Sequence, residues 1–225
     1  MKRILLTLAL AAVSVLVFAQ PRQTGPSDWG NFKRYEQANA ALTAAPLVVL
    51  MGDSITDFWY NEDPDFFTKN NFAGRGIGGQ TTMQMLVRFR ADVIDLEPEY
   101  VAILAGINDI ARNNGYITVK HTFDNIVSMV ELAQLHGIKP IMCTICPAKE
   151  IGWRKRIGDP RPQIDELNAL IKSYAAEHGL PLVDYHSILS TPDKALDPRY
   201  VTDAVHPNKA GYKVMEKALL AVIPE

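Results

Sequence analysis

Asp203 and His206 stand three residues apart in "YVTDAVHPNKAGY", just ahead of a stretch suited to start a helix. At that spacing a carboxylate can reach Nδ1 of the imidazole, fix its tautomer and stabilise the imidazolium, leaving Nε2 to face a nucleophile. The other four histidines, His121, His136, His178 and His186, lack such a partner in sequence and read as surface or packing residues. A nucleophile is on offer in "MGDSITD", where Gly52 permits a sharp turn and Ser54 follows. A Ser or Asp at such a turn is also what an ordinary helix N-cap wants, so this stretch alone decides nothing. In "AGINDIAR", Asn108 follows a glycine, and an uncharged amide there could donate to a developing oxyanion. A turn asparagine in left-handed geometry is the plainer reading of that residue.

These groups need a scaffold that brings them together. Apolar runs at 47–51, 100–106, 138–145 and 180–185 read as buried parallel strands, with a weaker strand over 71–76. Stretches 81–95, 119–136, 161–178 and 207–222 carry helical periodicity; Pro207 and Asn208 suit a helix start, and Gly137 and Gly179 suit helix ends. Strand–helix alternation predicts an α/β fold of three layers, α/β/α, around a doubly wound parallel sheet of about five strands. Working groups in such sheets lie in loops at the carboxyl ends of the strands, and the serine and asparagine stand at such ends.

The chain has 225 residues, 48% of them hydrophobic and 21% charged, enough for one domain with a sizeable core. Lys2 and Arg3, the apolar run that follows and Val17-Phe18-Ala19 predict a signal peptide over 1–19, cleaved before Gln20. Export follows, to the periplasm or the medium; the apolar run is short for a bilayer span, and no stable membrane insertion is expected. Residues 20–44 form an N-terminal arm and first helix, and 45–225 the main domain. Without Lys2 and Arg3 the 23 basic residues fall to 21, against 25 acidic, and no basic run points to nucleic acid. Cys143 and Cys146 lie inside an apolar strand, where three residues separate their Cα atoms by about 10 Å, too far for a disulfide. Both read as buried free thiols.

Taken in order, Gly52-Asp53-Ser54, Gly79, Gly106-Ile107-Asn108-Asp109 and Asp203-Ala204-Val205-His206 resemble the four blocks of GDSL-type esterases of the SGNH hydrolase superfamily. The resemblance runs over about residues 45–222. It implies the flavodoxin-like fold of that superfamily, a catalytic set of Ser54, His206 and Asp203, and an oxyanion hole made by the N–H groups of Ser54 and Gly79 and the amide of Asn108. Gln80 departs from the pattern, since aspartate often follows the second-block glycine; loop hydrogen bonding is what that change affects.

Residues 74–79, "GRGIGG", also match the G-x-G-x-x-G of dinucleotide sites. Such a fingerprint follows the first strand of its unit, with an acidic residue about 20 positions on that ends the next strand. Here the first strand leads to Ser54, and Asp92 and Asp95 fall in a helical stretch. No cofactor and no metal is expected, and H-E-x-x-H, P-loop and G-x-S-x-G motifs are absent from the sequence.

The expected activity is hydrolysis of short-chain esters, acetyl first, on a small-molecule or glycan substrate, because no long apolar lid is present to sheathe a fatty acyl chain. A lysophospholipase or thioesterase for longer chains is the alternative, and a non-catalytic glycan-binding protein of the same fold the more distant one. Asp53, Arg75, Trp153 and Arg154 are candidate substrate contacts. The aromatic cluster in "FWYNEDPDFF" reads either as core packing or as a stacking surface for a sugar. The oligomeric state is left open.

Overall fold

The computed structural model describes residues 28–224. The expected signal peptide and the beginning of the expected arm lie outside the described residues. Five parallel strands form one sheet: β1 (Val48–Gly52), β2 (Phe72–Gly76), β3 (Tyr100–Leu104), β4 (Lys139–Cys143) and β5 (Leu182–Val183), in the order β2-β1-β3-β4-β5. Every residue of β1 and β3 is buried, as expected of strands covered on both faces. The fold is therefore the three-layer α/β/α arrangement predicted, and the chain order reverses between β1 and β3.

Nine α-helices accompany the sheet among the described residues: α1 (Lys33–Ala40), α2 (Ser54–Glu62), α3 (Pro64–Lys69), α4 (Thr82–Asp92), α5 (Ile107–Ile110), α6 (Val119–Leu135), α7 (Arg161–Glu177), α8 (Tyr185–Leu189) and α9 (Lys209–Leu220). Helices α4, α6 and α7 pack side by side on one face, and α2, α3, α8 and α9 form the other layer. On that second side Trp59 of α2 is buried among Phe66, Phe67, Tyr185 and Tyr212. Truncating an indole so enclosed would cost about 3–5 kcal/mol.

The last strand is shorter than the 180–185 run suggests. Asp184 leaves the sheet to cap α8, its carboxylate accepting the Ser187 N–H, and Tyr185 is already helical. Helix α9 starts at Lys209, two residues later than the predicted start, with Asn208 as its cap and accepting from the Gly211 N–H.

One buried side chain ties the carboxyl ends of the first two strands together. Arg88 of α4 is fully buried. Its Nη2 donates to the carbonyls of Gly52 (3.1 Å) and Arg75 (2.9 Å), its Nε to Gln80 Oε1 (2.6 Å) and its Nη1 to Asp92 Oδ2 (2.8 Å). Asp92 Oδ1 in turn accepts from Asn39 of α1. Burial pulls the Arg88 guanidinium below its ordinary value, and the Asp92 carboxylate counters it. Breaking one side of a buried ion pair typically costs about 3–5 kcal/mol because the remaining charge is uncompensated. Arg88→Met should lose that much stability in urea unfolding, since it leaves Asp92 uncompensated and takes a donor from the Gln80 side-chain oxygen and from the Gly52 and Arg75 carbonyls. A loss below about 1 kcal/mol would show that water replaces the guanidinium there.

Candidate active site

Ser54 is the first residue of α2, immediately beyond β1, and is 7% exposed. Asp53 caps the helix, its Oδ1 accepting the Ile55 N–H at 2.9 Å. Burial pushes the Asp53 carboxyl up to about 6, against the opposing pull of that N–H and of the His206 charge. Strand β2 must pass close to the first turn of α2: a Cβ on Gly76 would lie 2.2 Å from the Asp57 nitrogen, so only glycine fits. Asp57 Oδ2 accepts the Gly78 N–H (3.2 Å), which ties the loop after β2 to the helix carrying Ser54.

His206 reaches the same place from the loop before α9. Its Nε2 is 2.8 Å from Ser54 Oγ and its Nδ1 is 2.8 Å from Asp203 Oδ2. Asp203 Oδ1 accepts the backbone N–H groups of Val205 (2.7 Å) and His206 (2.9 Å), so the carboxylate holds both the turn and the ring. Partial burial raises the Asp203 carboxyl, but the backbone N–H and imidazole of His206 more than offset it and hold the group below the ordinary carboxylate value. Phe58 and Trp153, each 43% exposed, flank the imidazole with ring centroids at 5.1 and 5.8 Å.

The loops after β2 and β3 complete the mouth. Gly79 has φ +78°, a left-handed conformation that a side chain would strain. Asn108, on α5 and 1% exposed, donates from Nδ2 to the Gln80 carbonyl at 3.1 Å. Asp109 accepts the Thr82 N–H and its hydroxyl (2.6 Å), joining α5 to the start of α4. Burial carries the Asp109 carboxyl to about 6, with the Thr82 donors opposing. Gln80 is buried, giving Oε1 to Arg88 and donating from Nε2 to the Gly30 carbonyl (3.0 Å). Beside Asp203 runs a groove of about 730 Å³, lined by Ile151, Lys155, Arg161 and Leu196, and a smaller pocket of about 210 Å³ lies between Phe58, Asn61 and His206.

Of the residues proposed from sequence, Ser54, Asp203, His206, Asn108 and Trp153 converge here, together with the loop that carries Gly79. Two proposed substrate contacts are not available to a ligand. Arg75 is buried, its Nε bonded to Asn39 Oδ1 (2.7 Å) and its guanidinium over the Tyr35 ring, so it fastens α1 to β2. Asp53 is 1% exposed and committed to its cap. Arg154 is exposed and has no ion-pair partner among the described residues. The aromatic cluster divides: Trp59, Phe66 and Phe67 are core, and Phe58 faces His206. Cys143 and Cys146 are free and buried; burial lifts the Cys143 thiol to about 12 and Cys146 still higher, which makes neither a nucleophile. Sequence reasoning missed Arg88 and Asn113, since neither belongs to a motif and both act through contacts made only in the fold.

An imidazole held this way, with Nδ1–H directed at a carboxylate, presents a basic Nε2 to the serine hydroxyl. Residues 50–214 match the model of the GDSL-like lipase/acylhydrolase family. A solved structure from Bacteroides fragilis NCTC 9343 is 49% identical, with a TM-score of 0.84, covering 87% of this chain and 97% of that one. The lipoprotein YqeF of Bacillus subtilis (strain 168) is 30% identical over 141 residues, 54% of this chain and 58% of that protein's length. The acetylxylan esterase of Geobacillus stearothermophilus is 28% identical over 153 residues, 66% of this chain and 70% of that protein.

The raised carboxyl of Asp53 has a consequence for stability. A carboxyl whose value is higher folded than unfolded favours the fold in its protonated form; that stabilisation is complete below the unfolded value of 3.8 and is lost as pH rises through about 6. Asp53→Asn keeps a cap that accepts the Ile55 N–H and cannot ionise. The stability difference between wild type and Asp53→Asn should therefore move in favour of wild type, on the order of 2 kcal/mol, between pH 7.5 and pH 4.5. Urea unfolding at those two pH values measures it, and a pH-independent difference would contradict the burial of this charge.

Proposed function

The chain belongs to the GDSL-like lipase/acylhydrolase family, and from that premise we propose that it is an exported serine esterase acting on short-chain esters, acetyl above all, of carbohydrates. The observation that carries the catalytic reading is the continuous pair of 2.8 Å contacts from Ser54 Oγ through His206 to Asp203. His206 Nε2 takes the hydroxyl proton as Ser54 Oγ attacks the ester carbonyl. Asp203 compensates the imidazolium without taking a proton, in keeping with a carboxyl held below its ordinary value. The N–H groups of Ser54 and Gly79 and the amide of Asn108 receive the oxyanion. His206 then protonates the departing alcohol, and water activated by the same nitrogen releases the acyl group.

Acetyl esters of glycans are favoured by two features. The relative from Geobacillus stearothermophilus is an acetylxylan esterase. Phe58 and Trp153 are partly exposed aromatic rings against His206, the kind of surface on which a sugar stacks. Export rests on the sequence of 1–19 and on the likeness to a lipoprotein.

Ser54→Ala should abolish hydrolysis of p-nitrophenyl acetate while leaving the melting temperature nearly unchanged, because the hydroxyl contributes a single contact. Turnover above about a hundredth of wild type would rule out Ser54 as the nucleophile. Across a series of p-nitrophenyl esters, activity should fall steeply between butyryl and octanoyl. Equal rates on octanoyl and acetyl esters would replace the carbohydrate esterase reading with a lysophospholipase.

A further inference from the structure

Asn113, just beyond α5, sits at the junction of three parts of the site. Its Nδ2 donates to the Asn108 Oδ1 (2.8 Å) and to the Gly79 carbonyl (3.1 Å), and its Oδ1 accepts from the Trp153 Nε1 (3.1 Å). Its backbone N–H also closes onto the Asn108 carbonyl at 3.0 Å.

The direction of these bonds is forced from both ends. An indole N–H can only donate, and a backbone carbonyl can only accept. Trp153 therefore demands the oxygen of Asn113, which turns its amide nitrogen toward Gly79 and Asn108. Asn108 must then offer its own oxygen to Asn113, and its nitrogen is left for the Gln80 carbonyl and the mouth of the site. The two ends of an asparagine amide are nearly equal in size, so without such partners the Asn108 group could turn over and present oxygen where a donor is wanted. An oxygen facing a developing oxyanion would repel it.

We propose that Asn113 is the positioning residue that, opposite the Gln80 carbonyl, fixes the polarity of the Asn108 amide and couples it to Trp153. This rests on the reading of Asn108 as an oxyanion donor. Trp153 is exposed, belongs to the loop after β4 and stacks on His206 at 5.8 Å. A substrate alcohol seated on that ring is thereby linked, through one side chain, to the group that stabilises charge on the former carbonyl oxygen.

The test is a pair of mutant cycles on p-nitrophenyl acetate. In Asn113→Asp the carboxylate still accepts from Trp153 but cannot donate to Asn108 or Gly79. Its kcat should fall about 100-fold, the scale of a lost oxyanion donor, with KM changed less than about threefold. In an Asn108→Ala background the same substitution should cost less than about threefold, because the group it positions is gone. Trp153→Phe keeps an aromatic face and removes the N–H together with the second ring; it should lower kcat several-fold in wild type and not in Asn108→Ala, and it stands in if Asn113→Asp does not fold. Equal losses in both backgrounds would make Asn113 a mere structural support and overturn the proposal, as would wild-type kcat in Asn113→Asp. Full activity of Asn108→Ala by itself would instead remove the oxyanion reading, and the role of Asn113 with it.

Discussion

The guanidinium of Arg88 is the constraint on which the site's framework depends. Where two parallel strands end beneath covering helices, their last carbonyls turn toward loops and keep acceptor capacity that the sheet does not fill: Gly52 takes the Ile77 N–H and has a lone pair left. Water could satisfy them only by entering the crevice where the serine sits. Arg88 instead supplies donors from inside the protein to Gly52 and Arg75, the carbonyls that precede the Ser54 turn and the glycine loop. Desolvating an arginine is expensive, and the ion pair with Asp92 and three further acceptors are what make it tolerable. The same network accounts for Gln80. Because Asp92 already serves as counter-ion, the residue after Gly79 need not be charged. A glutamine can accept from Arg88 on one side and donate to the Gly30 carbonyl on the other, so the segment before α1 is drawn onto the loop after β2. An aspartate could make only the first of those bonds.

A second consequence concerns the two carboxylates around His206. Asp53 and Asp203 are the same residue type near one imidazole, and their surroundings push them in opposite directions. Asp53 is enclosed and accepts one helix N–H, so burial dominates and its carboxyl rises to about 6. Asp203 is partly open and receives two backbone N–H groups as well as the ring, so its charge is stabilised. Only Asp203 touches Nδ1. A carboxylate that stays ionised can compensate the imidazolium during acyl transfer, and one that tends toward neutrality is better placed as a helix cap.

Legibility in the sequence followed the range of the interactions. The strands stood out because burial on both faces leaves uninterrupted apolar runs, as in Val48–Gly52 and Tyr100–Leu104. The Asp203–His206 pairing was readable because it is local. Bringing Ser54 and Asn108 to that pair needed the resemblance to a family, since nothing in their own neighbourhoods distinguishes a nucleophile from a cap. The two arginines show where reading by residue type fails. Arg75, next to the glycine loop, looked available for substrate, yet α1 lies against the edge strand and takes up its side chain. Arg88 belongs to no motif, and its i,i+4 spacing to Asp92 is the one feature of the sequence that reflects the buried pair. Short helices such as α5 and α8 escaped because one turn carries no periodicity.

The glycine pattern at 74–79 illustrates how one sequence motif can arise from separate demands. Gly76 is required because β2 passes within contact of the first turn of α2, and Gly79 because the loop turns through a positive φ. Gly74 faces Phe67, where a Cβ would be tight at 3.2 Å. Close strand–helix approach and an open backbone donor are also what a pyrophosphate loop needs, which is why the spacing coincides. The difference lies in what the loop faces. In a dinucleotide site the glycines open the helix that receives the phosphate, directly after their strand. Here α4 starts at Thr82, capped against Thr81, and the loop before it is bound to Asp57 on one side and Asn113 on the other. That anchoring leaves the loop facing the serine at the neighbouring strand end, and a single backbone N–H there suits one carbonyl oxygen better than a diphosphate.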